Sequence, residues 1–223
     1  MKVKVVALLA ENAVKFKLVV MYTQIKKYCD ELVLEFNSIS NERKVLLKQI
    51  SSYIHSKINK SKPINLVYIC THNSRRSHFG QIWAHVASKY YHIENVNTFS
   101  GGTESTAFNV NAINAIKRVG FDVKKMDSSD NSIYQISFDE NEKPIICFSK
   151  EYNDSTNPKS EFAAIMTCSD AEENCPFIPG AELRIGTTYD DPKAFDNSPL
   201  QDKKYDERCK QIALETLYVF ANI

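Results

Sequence analysis

The chain predicts an α/β fold, a mostly parallel sheet with helices on both faces, on three observations. From Ile64 onward strand-like and helix-like segments alternate, the pattern of parallel strands joined by helical crossovers. The run Ile64-Asn65-Leu66-Val67-Tyr68-Ile69 is an apolar strand that delivers Cys70 into a polar loop and then a helix start at Ser77. With 223 residues and 43% apolar content, the chain can hold one main α/β domain plus an appendage.

The elements follow in order. Residues Met1 to Val20 carry a short apolar run, Val5 to Ala10, but Glu11, Lys15 and Lys17 interrupt it and no small-residue cleavage site follows, so no signal peptide is expected. Whether Met1 or Met21 is the natural start stays open. Met21 to Lys60 predicts a helical hairpin, with Ile25, Cys29, Leu32 and Phe36 on one face and Leu46, Leu47, Ile50, Tyr53, Ile54 and Ile58 on another. Asn37 to Asn41 breaks it, and Ser40 is a candidate N-cap. The expected division is therefore a helical extension over 1–62 and an α/β domain over 63–223. Such a hairpin packs in cis, pairs with a second copy, or binds a partner.

Further strands are expected at Val96–Phe99, Ile145–Phe148 and Ala163–Thr167, and helices at Ser77–Tyr91, Asn109–Val119 and Lys203–Ala221. Between Asp127 and Pro144, the partial alternation of Ile133, Tyr134, Ile136 and Phe138 predicts an extra strand or hairpin. An open α/β sheet binds ligands at the carboxyl ends of its strands, where Cys70 and Cys168 both emerge.

Composition narrows the function. Twenty-eight Lys and Arg against 27 Asp and Glu give a net charge of +1, which argues against a dedicated nucleic-acid or membrane-surface binder. No apolar run approaches the roughly 20 residues of a membrane-spanning helix. Six cysteines used as thiols fit a reducing cytoplasm.

The chemistry is concentrated in Cys70-Thr71-His72-Asn73-Ser74-Arg75-Arg76-Ser77. A cysteine between a buried strand and a helix start lies beside unpaired N–H groups and the positive end of a helix dipole, which favour the nucleophilic thiolate. The loop amides of Thr71, His72, Asn73, Ser74 and Arg75 form an anion-binding nest, and Arg76 adds a planar fork that can hold two oxygens of a tetrahedral oxyanion.

This stretch resembles the low-molecular-weight protein-tyrosine phosphatases and the thioredoxin-coupled arsenate reductases built on the same fold, both of which carry Cys-x-x-Asn-x-x-Arg-Ser after the first strand. The resemblance covers about Ile64 to Ile223 and nothing in it corresponds to the hairpin. It implies Cys70 as nucleophile, Arg76 as oxyanion clamp, Asn73 as loop organiser and Ser77 as hydroxyl donor to the Cys70 sulfur. Phe99-Ser100-Gly101-Gly102-Thr103-Glu104 resembles the stretch after the second family strand, its glycines suiting a tight turn near the cradle. In Thr188-Tyr189-Asp190-Asp191-Pro192 the Asp-Pro pair matches the family's general acid. Proline disfavours helix at the preceding residue, holding Asp191 extended, where it could protonate a leaving oxygen and later activate water; Asp190 lacks the following proline.

Two cysteines seven residues apart, Cys168 and Cys175, separate the two branches. Hydrolysis of a cysteinyl-phosphate needs one thiol, whereas arsenate reduction needs two electrons from a dithiol. By resemblance, Cys70 attacks arsenate, Cys168 resolves the intermediate, and Cys175 passes the oxidation outward to thioredoxin. A disulfide requires Cα atoms about 4.4–6.8 Å apart. Seven helical residues would span about 10 Å, so the segment must be looped or unwind. Ser169, Asp170, Asn174 and Pro176 permit this. A metal pair is disfavoured, since there is no Cys-x2-Cys and no His at ligand spacing nearby.

Departures from the family pattern are specific. His72 replaces a glycine and either points outward or faces substrate; Arg75 replaces a residue often Cys and is either solvated or a substrate contact. Gln81 stands where some reductases use a carboxylate toward potassium, so no required cation and no bound cofactor is expected. Lys193 replaces an aromatic wall of the phosphotyrosine-specific branch. The expected function is a cytosolic arsenate reductase with thioredoxin as electron donor. The alternative is a phosphatase hydrolysing phosphotyrosine or small phosphomonoesters through a cysteinyl-phosphate. A third reading, an adaptor that keeps the oxyanion pocket as a sensor, is opposed by the intact nucleophile, clamp and acid.

Overall fold

A computed structural model describes residues 21–174 and 177–223. Residues 1–20, with the apolar run Val5 to Ala10, and Cys175 and Pro176 lie outside the described residues. The first elements of the described residues are α1 (Thr23–Leu34), a single 3-10 turn (Phe36–Ser38) and α2 (Asn41–Asn59). The Ser40 side chain caps α2 as its sequence position suggests, accepting from the Arg43 N–H at 3.2 Å. Ile25, Cys29, Leu32, Leu47, Ile50 and Ile54 are buried as expected, whereas Ile58, in the last turn of α2, is 40% exposed.

Next come β1 (Ile64–Cys70), α3 (Arg76–Tyr90), β2 (Val96–Gly102) and α4 (Val110–Val119). Asn109 caps α4 through its side chain, and Gly120 ends it with φ +116°, a left-handed geometry that costs glycine no Cβ clash. Then follow β3 (Asp122–Lys125), β4 (Tyr134–Ser137), β5 (Ile145–Cys147), β6 (Phe162–Met166), α5 (Ser169–Asn174), β7 (Ala181–Gly186), a 3-10 turn (Pro192–Phe195) and α6 (Gln201–Ala221).

The main sheet is fully parallel, in the order β2-β1-β6-β7, with β1 against β2 from Ile64↔Val96 to Cys70↔Gly102 and against β6 from Leu66↔Ala163 to Ile69↔Met166. This is the predicted α/β architecture. Ile145–Phe148 does not join that sheet. Ile145–Cys147 forms β5 of a separate antiparallel sheet, β3-β4-β5, which also contains the strand expected between Asp127 and Pro144, and Phe148 lies just past its end. Two strands escaped the reading of the sequence, and both are edges with mostly partly exposed or exposed residues: charged β3, and β7, where apolar and polar residues mix.

One buried cluster joins Ile25, Leu32, Leu47 and Ile54 of the hairpin to Trp83 and Phe79 of α3 and Tyr205, Ile212 and Leu217 of α6. The Ser51 hydroxyl donates to the Val219 carbonyl at 2.8 Å, and Lys57, buried along its stem, pairs with Glu182. The hairpin thus packs in cis against the helical layer. The opposite sheet face carries a smaller cluster that includes Val67, Cys70, Met166, Cys168 and Ile178. Among the described residues, no helix is long and apolar enough to cross a membrane.

Candidate functional site

The loop 70–76 leaves the end of β1 and enters α3 with its carbonyls tied outward. The Cys70 carbonyl accepts from Thr103 N–H at 3.1 Å, and that of Thr71 from Glu104 N–H at 3.0 Å. The His72 carbonyl accepts from the hydroxyls of Ser149 (2.9 Å) and Thr106 (3.1 Å), and the Ser74 carbonyl from Asn109 N–H at 2.9 Å. Among the described residues, none of the backbone N–H groups of 71–75 donates to a protein acceptor. Carbonyls held outward turn the amides inward, the arrangement of an anion nest at a helix N-terminus. Gly102 makes this packing possible: a Cβ there would lie 2.6 Å from the Thr71 oxygen and 2.8 Å from the Asn73 nitrogen.

Cys70 is 4% exposed at the end of β1, its sulfur 3.1 Å from the Ser77 hydroxyl. Asn73 is fully buried with φ +43°. Its Nδ2 donates to Ser77 Oγ at 2.8 Å, and its Oδ1 accepts from the Lys150 N–H at 2.9 Å, so it braces the loop against both α3 and the chain after β5. Arg76 sends one terminal nitrogen to the Tyr189 carbonyl at 2.7 Å and the other to Asp191 Oδ2 at 2.6 Å. Its Nε is buried and has no protein partner, a donor that an oxyanion would satisfy. Asp191 has φ −80° and ψ 120°, and its second oxygen accepts from Lys193 N–H at 3.0 Å. Asp190 points to solvent at 99% side-chain exposure and pairs with Arg208.

The other loop side chains face elsewhere. His72 turns outward to Glu104, 2.9 Å away. Ser74 donates to the Ala107 carbonyl at 2.7 Å. Arg75, which the sequence leaves open between a solvated side chain and a substrate contact, has its guanidinium donating to the Tyr205 hydroxyl at 2.6 Å and to Asp196 at 3.2 Å. Gln81 donates to the Ile146 carbonyl and accepts from Ser100 Oγ at 2.6 Å. Among the described residues no cluster of His, Cys, Asp and Glu could hold a metal ion.

Cys168 emerges beside Cys70 because β6 lies next to β1, and its sulfur is 3.4 Å from Thr71 Oγ1 and accepts from Ala171 N–H at 3.4 Å. Thr71 in turn donates to Asp170 at 2.7 Å. The segment after Cys168 is helical, as α5. Three other cysteines have a different character: burial pushes the thiols of Cys29, Cys147 and Cys209 up to about 12, which keeps them protonated and unreactive. The sequence reading missed the Tyr189 carbonyl that accepts from Arg76, because a main-chain acceptor carries no local pattern.

No family model matches the chain. Among curated proteins, an arsenate reductase of Staphylococcus aureus (strain Newman) is 30% identical over 129 residues, 57% of this chain and 77% of that protein. That of strain N315 is 28% identical over 138 residues, 61% of this chain and 84% of that protein. Among solved structures, a low-molecular-weight phosphotyrosine phosphatase from Vibrio cholerae O395 is 13% identical with a TM-score of 0.47, covering 70% of this chain and 93% of that one. An arsenate reductase in the phosphate-binding state is 16% identical with a TM-score of 0.47, covering 72% and 98%. At 30% identity over 129 residues, 77% of the Staphylococcus aureus (strain Newman) protein, the chain belongs to the arsenate reductase family.

Proposed function

We propose that the protein reduces arsenate to arsenite through Cys70, Cys168 and Cys175, with thioredoxin as the electron donor in a reducing compartment. The Cys70 thiolate attacks arsenic, and Asp191 gives its proton to the departing oxygen, which leaves as water. Arg76 and the loop amides hold the remaining oxygens. The Cys168 thiolate then attacks the Cys70 sulfur; the S–As electron pair stays on arsenic, which departs as arsenite, and a Cys70–Cys168 disulfide forms. Cys175 displaces Cys70 from it, and thioredoxin reduces the resulting Cys168–Cys175 disulfide.

The observation that carries this reading is the placement of Cys168 at the end of the strand adjacent to β1, in contact with the residue after Cys70 and in the same buried cluster as Cys70. The second reading, hydrolysis of phosphomonoesters, is favoured by α5, since Cys168 acts there as a helix cap and its sulfur is engaged by the Ala171 N–H. Arsenate and phosphate esters fit the same cradle, so only the relay separates the two. The test is arsenate-dependent NADPH oxidation with thioredoxin and thioredoxin reductase, run beside p-nitrophenyl phosphate hydrolysis. Cys175→Ser and Cys168→Ser are expected to abolish multiple turnover of arsenate while leaving hydrolysis largely intact. Hydrolysis without any arsenate turnover in the unmodified protein would assign the phosphatase reading.

A further inference from the structure

The hairpin before β1 reaches the candidate site through one side chain. Arg43, in the first turn of α2, sends Nε and a terminal nitrogen to the same Glu215 oxygen at 2.9 and 2.7 Å, and that terminal nitrogen also donates to the Thr187 carbonyl at 3.1 Å. The Tyr189 hydroxyl donates to the same Glu215 oxygen at 2.8 Å, and the Arg43 guanidinium lies 4.8 Å from the Tyr189 ring centroid. The Glu215 side chain is 5% exposed and that of Arg43 20%, so packing rather than solvent sets the geometry of this pair. Burial, reinforced by Glu215, raises Tyr189 well above the ordinary tyrosine value and keeps its hydroxyl a donor. Thr187 and Tyr189 are also held through their N–H groups by the Met166 and Thr167 carbonyls, at 2.8 and 3.1 Å. On its other side, the Tyr189 carbonyl accepts from Arg76, whose second terminal nitrogen donates to Asp191.

We propose that Arg43 is a positioning residue for the reaction: acting through Glu215, Tyr189 and the Thr187 carbonyl, it sets the placement of the segment that aims Arg76 and Asp191 at the cradle. The inference rests on the reading of Arg76 and Asp191 given above. Arginine suits the task because its fork grips the carboxylate and a main-chain carbonyl at once, which a lysine ammonium does with less directional constraint. Glu215 would otherwise be a buried, uncompensated charge. A small displacement of a catalytic group suffices for an effect, since misplacement by about 1 Å can cost about a hundred-fold in rate. The extension thereby gains a role in catalysis that packing alone would not give it.

The test compares p-nitrophenyl phosphate, whose leaving group hardly needs a proton, with phenyl phosphate, whose leaving group does. It uses the full chain as wild type, Arg43→Met, Arg43→Lys and Tyr189→Phe. Arg43→Met is expected to lower kcat/KM about ten-fold for phenyl phosphate and less than about three-fold for p-nitrophenyl phosphate. Arg43→Lys recovers part of that difference by restoring a charge beside Glu215. Tyr189→Phe leaves the buried ion pair in place and shows the same substrate-selective loss, which decides the matter if Arg43→Met does not fold. Equal losses on both esters mark a merely structural contribution and overturn the inference, as do unchanged values in both variants. Wild-type protein that hydrolyses neither ester and reduces no arsenate would instead remove the underlying reading of Arg76 and Asp191.

Discussion

Replacing Asn73 by alanine removes two buried hydrogen bonds and leaves a strained backbone, and the two costs can be separated with a second variant. The lost Oδ1 strands the Lys150 N–H, and the lost Nδ2 releases the Ser77 hydroxyl. A buried donor left without a partner costs about 1–3 kcal/mol. Alanine at φ +43° adds about 1–2 kcal/mol, because its Cβ crowds the carbonyl oxygen in the left-handed region that asparagine tolerates. The expected destabilisation of Asn73→Ala is therefore about 3 kcal/mol. Asn73→Gly loses the same bonds without the Cβ penalty and should be about 1 kcal/mol more stable than Asn73→Ala, the reverse of the usual ranking of the two residues. Urea unfolding followed by fluorescence measures both, since Trp83 is the only tryptophan of the chain and is fully buried. The slope with denaturant must stay constant for the comparison to hold. An alanine variant as stable as the glycine variant would refute the reasoning.

Three further outcomes are expected. Asp191→Asn keeps an acceptor for the Lys193 N–H and a neutral partner for Arg76 but removes the proton donor, so it should fold normally while phenyl phosphate hydrolysis falls about a hundred-fold or more; an unchanged rate would exclude Asp191 as the acid. Gly102→Ala drives a Cβ to 2.2 Å from the Glu104 oxygen, as well as against Thr71 and Asn73, all backbone atoms that cannot swing away. It should cost about 3 kcal/mol and abolish the rise in Tm expected of the wild type with added phosphate; a rise retained in the variant would show that the cradle survives. Burial lowers His78 to about 3, with Lys150 adding to the effect, and lowers His85 to about 4, with Lys89 adding to it. Both folded values lie below the unfolded value near 6.5, so the stability these groups contribute is fully present above pH 6.5 and declines as pH falls toward 4. At pH 5 each should have forfeited about 2 kcal/mol, and His78→Asn should flatten the decline in a pH series of urea midpoints.

The cradle was legible because its parts are contiguous. Cys70, Asn73, Arg76 and Ser77 lie on one strand–loop–helix unit, where an apolar run, a polar loop and a helix start each leave a local signature. Ser40 and Asn109 were readable for the same reason, since a helix cap acts within three residues of itself. Asp191 was readable through its proline and its place before α6. The hairpin's inner face followed from its period, except at Ile58, where the helix runs past the core it covers.

Other features depend on partners far away in the chain. Tyr205 and Asp196 turn Arg75 off the cradle, and nothing in the loop's own residues announces them. Ile145–Phe148 reads as an ordinary strand, yet its pairing with β4 places it in the second sheet; strand propensity does not specify a neighbour. The sequence by itself determined the α/β alternation, the strand–loop–helix unit around Cys70 and the extended Asp191-Pro192 step, because periodicity, capping and turn chemistry act over a few residues. Only the tertiary structure decided that Arg76 grips Asp191 115 positions away and that Arg43 meets Glu215 172 positions away. Such polar pairs are set by where packed elements bring two side chains together, and packing leaves no period in the sequence from which to read them.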